Sequence, residues 1–274
     1  MLEQVFSYFT YDFVRNALIA GSLSAILGAV VGYFVVIRNI GFAAHALAHI
    51  GFTGATGAAL FGLSPLQGML IISTLSGVMM GATGNRLHRS ELAVGMVLSV
   101  ALGVGTLFLA MYKGFAGAAT AILFGNIFGV SQGQIVQTVL LSALSLGALG
   151  IFSRRLLFAS VQPDLAESRG MSLTFLSSAF MIILAISVTL ASQVVGILLV
   201  FTLIIGPAGI AARICRGFWS SITTSIAIAL ISVWLGILSA CMTNWPPSFW
   251  ITGILFLFYI ITELLCRFIL RIER

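Results

Sequence analysis

The sequence predicts an all-α fold, a polytopic bundle of membrane helices, and three observations predict it. Of 274 residues, 60% are hydrophobic and only 7% are charged, against about 25% charged in an ordinary soluble domain. Mean hydropathy is +1.16. The apolar residues also fall into runs long enough to cross a hydrocarbon core, which takes about 20 helical residues. No connector is long enough to join two soluble domains, so residues 1–274 read as a single transmembrane domain of about 8–9 spanning helices.

In order, the runs place spans near 16–37, 42–62, 65–85, 92–112, 134–153, 172–192, 194–212, 219–242 and 248–268. Glu3 and Asp12 precede the first basic residue, Arg15, and no cleavage site follows, so the start does not read as a signal peptide. Between Lys113 and Gln134 the chain is apolar but broken by Gly114, Gly117, Gly125 and Gly129. That stretch reads as a re-entrant or interfacial segment. Cys215, Cys241 and Cys266 are widely spaced in or beside apolar runs and read as buried thiols. No internal repeat is evident.

The net charge of +6 points to no nucleic acid, because in a membrane chain the placement of basic residues matters more than their sum. With the 154–170 loop in the cytoplasm, Arg38, Arg86, Arg89, Arg154, Arg155, Arg169, Arg213, Arg216, Arg267, Arg271 and Arg274 all fall inside. Only Arg15 and Lys113 fall outside. The positive-inside bias therefore puts the N-terminus outside and the C-terminus in the cytoplasm.

That topology sets the depth of His45 and His49, seven and eleven residues after Arg38. At helical rise they lie about 10 and 16 Å into a core about 30 Å thick, near its midplane. Residues i and i+4 share a helix face, so the two imidazoles can grip one divalent ion together. A lone buried histidine is ordinarily an interhelical hydrogen-bonding contact. Two in register, flanked by alanines, point instead to metal or proton handling. The third histidine, His88, sits between Arg86 and Arg89 at a cytoplasmic end and reads as a solvated side chain.

Absences narrow the function. No phosphate-binding G-x-x-x-x-G-K-[ST] loop is present, and the only lysine, Lys113, precedes Gly114 and Phe115. No soluble nucleotide domain is evident either, so if transport is driven by ATP, a separate subunit must supply the hydrolysis. No intramembrane chain of acidic residues marks a proton-coupled carrier. Glu263 lies one turn before Arg267 and reads as an interfacial salt bridge. In the polar connector 162–170, Pro163 suits a helix start, Asp164 lies in the first turn, and Gly170 suits a stop. A short cytoplasmic helix or a plain charged connector both fit.

Four segments carry a resemblance. Phe42 to His49 is similar to a Phe-Gly-Asp-x-Leu-Ala-His motif, and Leu123-Phe124-Gly125-Asn126 with Val130-Ser131 to a Leu-Phe-Gly-(Asp/Ser) segment. Pro163-Asp164-Leu165-Ala166 with Gly170 is similar to a coupling loop. Val195 to Val200, leading to Pro207-Ala208 and Ala211-Ala212-Arg213, is similar to a late-span signature. In this order they resemble the membrane subunit of bacterial zinc/manganese ABC importers over nearly the whole chain.

The resemblance implies a permease of the bacterial inner membrane, a transport subunit and not an enzyme, with ATP hydrolysis on a separate subunit. It would work as a dimer, with cytoplasmic ATP-binding subunits and an extracytoplasmic metal-binding protein, and with no permanently bound cofactor. It implies that Pro163, Asp164, Leu165, Ala166, Glu167 and Gly170 couple to the ATPase. The chain departs from the family at His45, which stands where members usually have aspartate, and His49 matches the family histidine; Asn126 stands where some have aspartate. Two imidazoles favour zinc over manganese, which prefers oxygen-rich sites. The expected cargo is therefore zinc, with manganese or iron by the same machinery, or a stand-alone metal carrier or channel, as alternatives.

Overall fold

The computed structural model describes residues 11–82, 91–112 and 121–272. Arg86, His88, Arg89, Lys113, Gly114, Gly117 and Arg274 lie outside them. Among the described residues ten α-helices of more than one turn follow one another: α1 (Asp12–Ile37), α2 (Gly41–Leu60), α3 (Pro65–Ala82), α4 (Glu91–Met111), α5 (Gln132–Val161), α6 (Pro163–Ser168), α7 (Leu173–Val195), α8 (Val200–Ile214), α9 (Phe218–Thr243) and α10 (Pro247–Ile272). No strand occurs among the described residues. Helix is the expected answer for apolar segments, because it satisfies its own backbone groups without water.

Seven of these helices are long and apolar enough to cross a membrane: α1, α3, α4, α5, α7, α9 and α10. Helix α2 has the length, but its glycines, alanines and two histidines dilute its hydropathy. Helix α8 is short, at 15 residues. Apart from α6, the helices run alternately between two ends. Arg38 at the end of α1 meets the start of α7, where its Nη2 donates to Ser177 Oγ at 2.7 Å and its guanidinium lies 5.4 Å from the centre of the Phe180 ring. Arg213 on α8 and Arg267 on α10 both pair with Glu263, at 2.6 and 3.0 Å. Glu263 is thus the expected salt bridge and also ties α8 to α10. At the opposite end, Asn16 Nδ2 donates to Val130 O at 3.3 Å, and Trp245, Phe249 and Trp250 cluster at the α9–α10 turn. Aromatic clusters of this kind anchor membrane proteins at headgroup depth.

Helices α1 and α7 form the buried centre. Helices α5, α8 and α9 pack around α1, while α2, α3 and α4 form a group laid against α7 through α3 and α2. Small residues permit the closest crossings. A Cβ on Gly54 of α2 or on Gly68 of α3 would meet the other's backbone carbonyl. Serines fasten further pairs: Ser24 Oγ donates to Leu190 O across α1–α7, and Ser225 Oγ to Ala29 O across α9–α1, both at 3.3 Å.

Two spans end elsewhere than the sequence suggests. Helix α5 opens on a capping box of Ser131 and Gln134 and continues through Arg154 and Arg155 to Val161, 30 residues in all. That is about 45 Å, longer than the hydrocarbon core, because its basic residues can stand beyond the apolar layer without breaking the helix. The expected span 194–212 is instead an unwound stretch, 196–199, followed by the short α8. The cause is Gly196, at φ 81 and ψ 164, a conformation essentially restricted to glycine.

The broken segment after Lys113 is no tenth span where it is described. Residues 121–124 form one helical turn, Gly125 takes φ 81, and Ile127–Gly129 is a 3-10 turn. The cysteines are unpaired and only partly buried. Cys215 lies in the α8–α9 turn, where hydrogen bonds with Ser220 and Thr224 hold its thiol below the usual value.

Candidate metal site

Helix α2 brings the two membrane histidines together. Their ring centres are 4.5 Å apart at an interplanar angle of 75°, an edge-to-face pair. Both side chains are half-buried, while Ala44, Ala46, Leu47 and Ala48 around them are buried. Phe201, on the first turn of α8, packs edge-to-face on His45 at 5.4 Å and 84°. Sequence reasoning missed Phe201, since a phenylalanine inside an apolar run carries no mark of its neighbour.

Chemically the pair supplies two imidazole nitrogens per chain. Among the described residues no group of three or more His, Cys, Asp or Glu side chains is placed to hold a metal ion. Two ligands are too few for a stable tetrahedral site, but they suit a station from which an ion must depart.

The two segments that the resemblance singled out, Leu123–Asn126 and Val195–Val200, lie against each other. Ile197 N donates to Ile122 O at 3.4 Å, Leu198 N to Leu123 O at 3.3 Å, and Asn126 N to Gln193 O at 3.3 Å. Gly125 and Gly196 face one another, and a Cβ on Gly125 would stand 2.6 Å from Gly196 N. A cleft of about 750 Å³ opens beside this crossing, lined by Asn126, Gln134, Gln137, Ser192 and Gln193 among others. Among the described residues its polar lining is amide and hydroxyl, with no charged side chain.

The connector residues form α6. Pro163 stands at its first positions, Asp164 in its first turn, and Gly170 follows with φ 76. Ala166 is fully buried, and the helix packs on α5 and α7. Arg169 caps it and lies 5.3 Å from the centre of the Phe158 ring of α5. Asp164, Leu165 and Glu167 are exposed, Leu165 at 45%. Ala166 therefore seats the helix, and the other three present the surface.

Relatives share this architecture. A chain of the solved structure of PsaBC from Streptococcus pneumoniae in complex with Fab superposes with a TM-score of 0.86 at 25% identity, covering 96% of this chain and 95% of that one. The manganese transport system membrane protein MntC of Listeria innocua is 25% identical over 248 residues, 85% of this chain and 84% of the relative. A probable iron transport system membrane protein of Haemophilus influenzae is 27% identical over 239 residues, 85% of this chain and 88% of the relative. The family model for the ABC 3 transport family matches residues 10–266, nearly the whole described bundle, and the chain belongs to that family.

Proposed function

We propose that this chain is the permease subunit of an ATP-driven importer of divalent transition-metal ions, with manganese or iron as cargo, and that the ion passes His45 and His49. The observation that carries the reading is the ring pair on α2, in a bundle of this family. The names of the relatives favour manganese and iron over the zinc that the ligands alone suggest. Zinc stays as a second reading for one reason: two imidazoles without a carboxylate suit zinc or iron better than manganese.

Half-buried imidazoles near the midplane are costly against lipid, which supports a second permease copy covering this face. A two-fold axis there would gather up to four imidazoles around one ion. The basic end of the bundle faces the cytoplasm, where α6 meets an ATP-binding subunit. The opposite end receives the ion from an extracytoplasmic binding protein. Helix α5, longer than the membrane core is thick, carries α6 out to its partner.

The test is uptake of radioactive manganese, iron(II) and zinc by the assembled transporter at matched expression. His45→Ala and His49→Ala should each lower uptake by more than the roughly 10–100-fold that losing a metal's outer-shell partner costs. His45→Asp should retain transport and shift preference toward manganese. Unchanged uptake in the double alanine variant would reduce the pair to an interhelical contact.

A further inference from the structure

We infer that Phe201 is the aromatic stop on the inner side of the histidine pair, setting which ions pass; this rests on the metal-path reading above. Three rings stand in contact, His49 on His45 at 4.5 Å and His45 on Phe201 at 5.4 Å, both edge-to-face. From His45 the Phe201 ring reaches down α2 by one turn. Its Cε2 lies 3.9 Å from where a Cβ on Gly41 would stand, beside Ile205 of the next turn of α8. A Cβ there would meet the ring at ordinary van der Waals distance, so the ring lies alongside the first turn of α2. It covers the turn between the histidines and the basic end.

Phe201 is nevertheless 38% exposed, so the ring borders open space on another side. It also sits on a short helix that starts after an unwound stretch and contains Pro207, which removes one rung of the helical ladder. A shift of α8 would therefore carry the ring off the pair.

A phenyl ring offers an ion no lone pair to replace a water ligand. An ion with its hydration shell intact meets a wall at Phe201. An ion that exchanges water for imidazole waits at His45 and His49 until α8 moves. Calcium and magnesium favour oxygen ligands, and magnesium gives up its water reluctantly, so this wall discriminates against them.

The experiment uses the complete transporter in vesicles loaded with a fluorescent chelator, without ATP, and adds manganese or calcium outside. Phe201→Ala should raise ATP-independent entry of both ions by about tenfold or more, equivalent to lowering the barrier by about 1.4 kcal/mol. Phe201→Leu, which keeps much of the bulk, should leak less. His45→Ala with His49→Ala, Phe201 intact, should not leak. Tight vesicles and unchanged ion preference with Phe201→Ala, or with Phe201→Leu should the alanine variant fail to assemble, would overturn the assignment. Normal uptake by the double histidine variant would instead remove the metal-path reading, and the leak result would still stand alone.

Discussion

Replacing Gly196 by alanine should destabilise the bundle more than any other single-methyl addition at an unwound position. The residue sits at φ 81 and ψ 164, and holding a non-glycine residue in such a region costs about 1–3 kcal/mol. The new methyl would also collide with Leu123 O and Phe124 C and would stand 2.5 Å from Gly125 N. Those atoms are backbone, tied by the bonds from Ile197 and Leu198, so they yield less than the tip of a side chain would. Overpacking of this kind costs about 1–3 kcal/mol more. The sum, about 2–6 kcal/mol, is a large part of the roughly 5–15 kcal/mol by which folded proteins are stable. The control is Gly253→Ala on α10, where an added Cβ meets nothing within 4 Å, so the change should stay within about 1 kcal/mol and favour alanine. Thermal melting in detergent, read as loss of the monodisperse size-exclusion peak, compares the two. Equal midpoints would refute the claim that the crossing demands glycine.

Other predictions are briefer. Leu165→Ala should weaken capture of the ATP-binding subunit in pull-downs while expression stays normal, whereas Ala166→Leu should lower the melting midpoint by overpacking the seat of α6, about 1–3 kcal/mol; unchanged capture would remove Leu165 from the contact. Glu263→Gln releases two arginines from pairs that are largely open to water, so stability should fall by no more than about 1 kcal/mol, and a larger drop would show the α8–α10 tie to be stronger than its exposure suggests. Only a neutral imidazole ligates a metal, so uptake should decline as the medium is acidified, and a flat profile would argue against histidine ligation. In a background lacking the three native cysteines, Ser168→Cys should react with impermeant thiol reagent only from the cytoplasmic side and Asn244→Cys only from outside; the reverse pattern would invert the topology.

The spans were legible because a bilayer leaves an apolar segment little choice but helix, and each run in the sequence has its helix in the structure. Helix ends were less legible. Arg154 and Arg155 look like the start of a loop in sequence, yet a helix tolerates basic residues past the apolar layer. The unwinding at Gly196 is invisible in composition, since Gly196 sits in a run as apolar as its neighbours. The histidines of α2 were legible through their spacing alone. The contact of Phe201 with His45 and the crossing of residues 122–126 with 193–198 join segments far apart in the chain, and no periodicity within either segment records the other.

The length of α5 has a mechanical meaning. One end bears α6, seated by Ala166 and by Arg169 over Phe158. The other end opens at Ser131, just past the Asn126–Gly129 turn and the crossing of Gly125 with Gly196. An α-helix resists stretching far more than its neighbours resist sliding, so a push applied to α6 would travel along α5 as through a connecting rod. It would be delivered at the opposite surface, beside the loop from which α8 and Phe201 hang. One continuous helix thus joins the exposed face of α6 to the crossing of Gly125 with Gly196, with no relay of side chains in between.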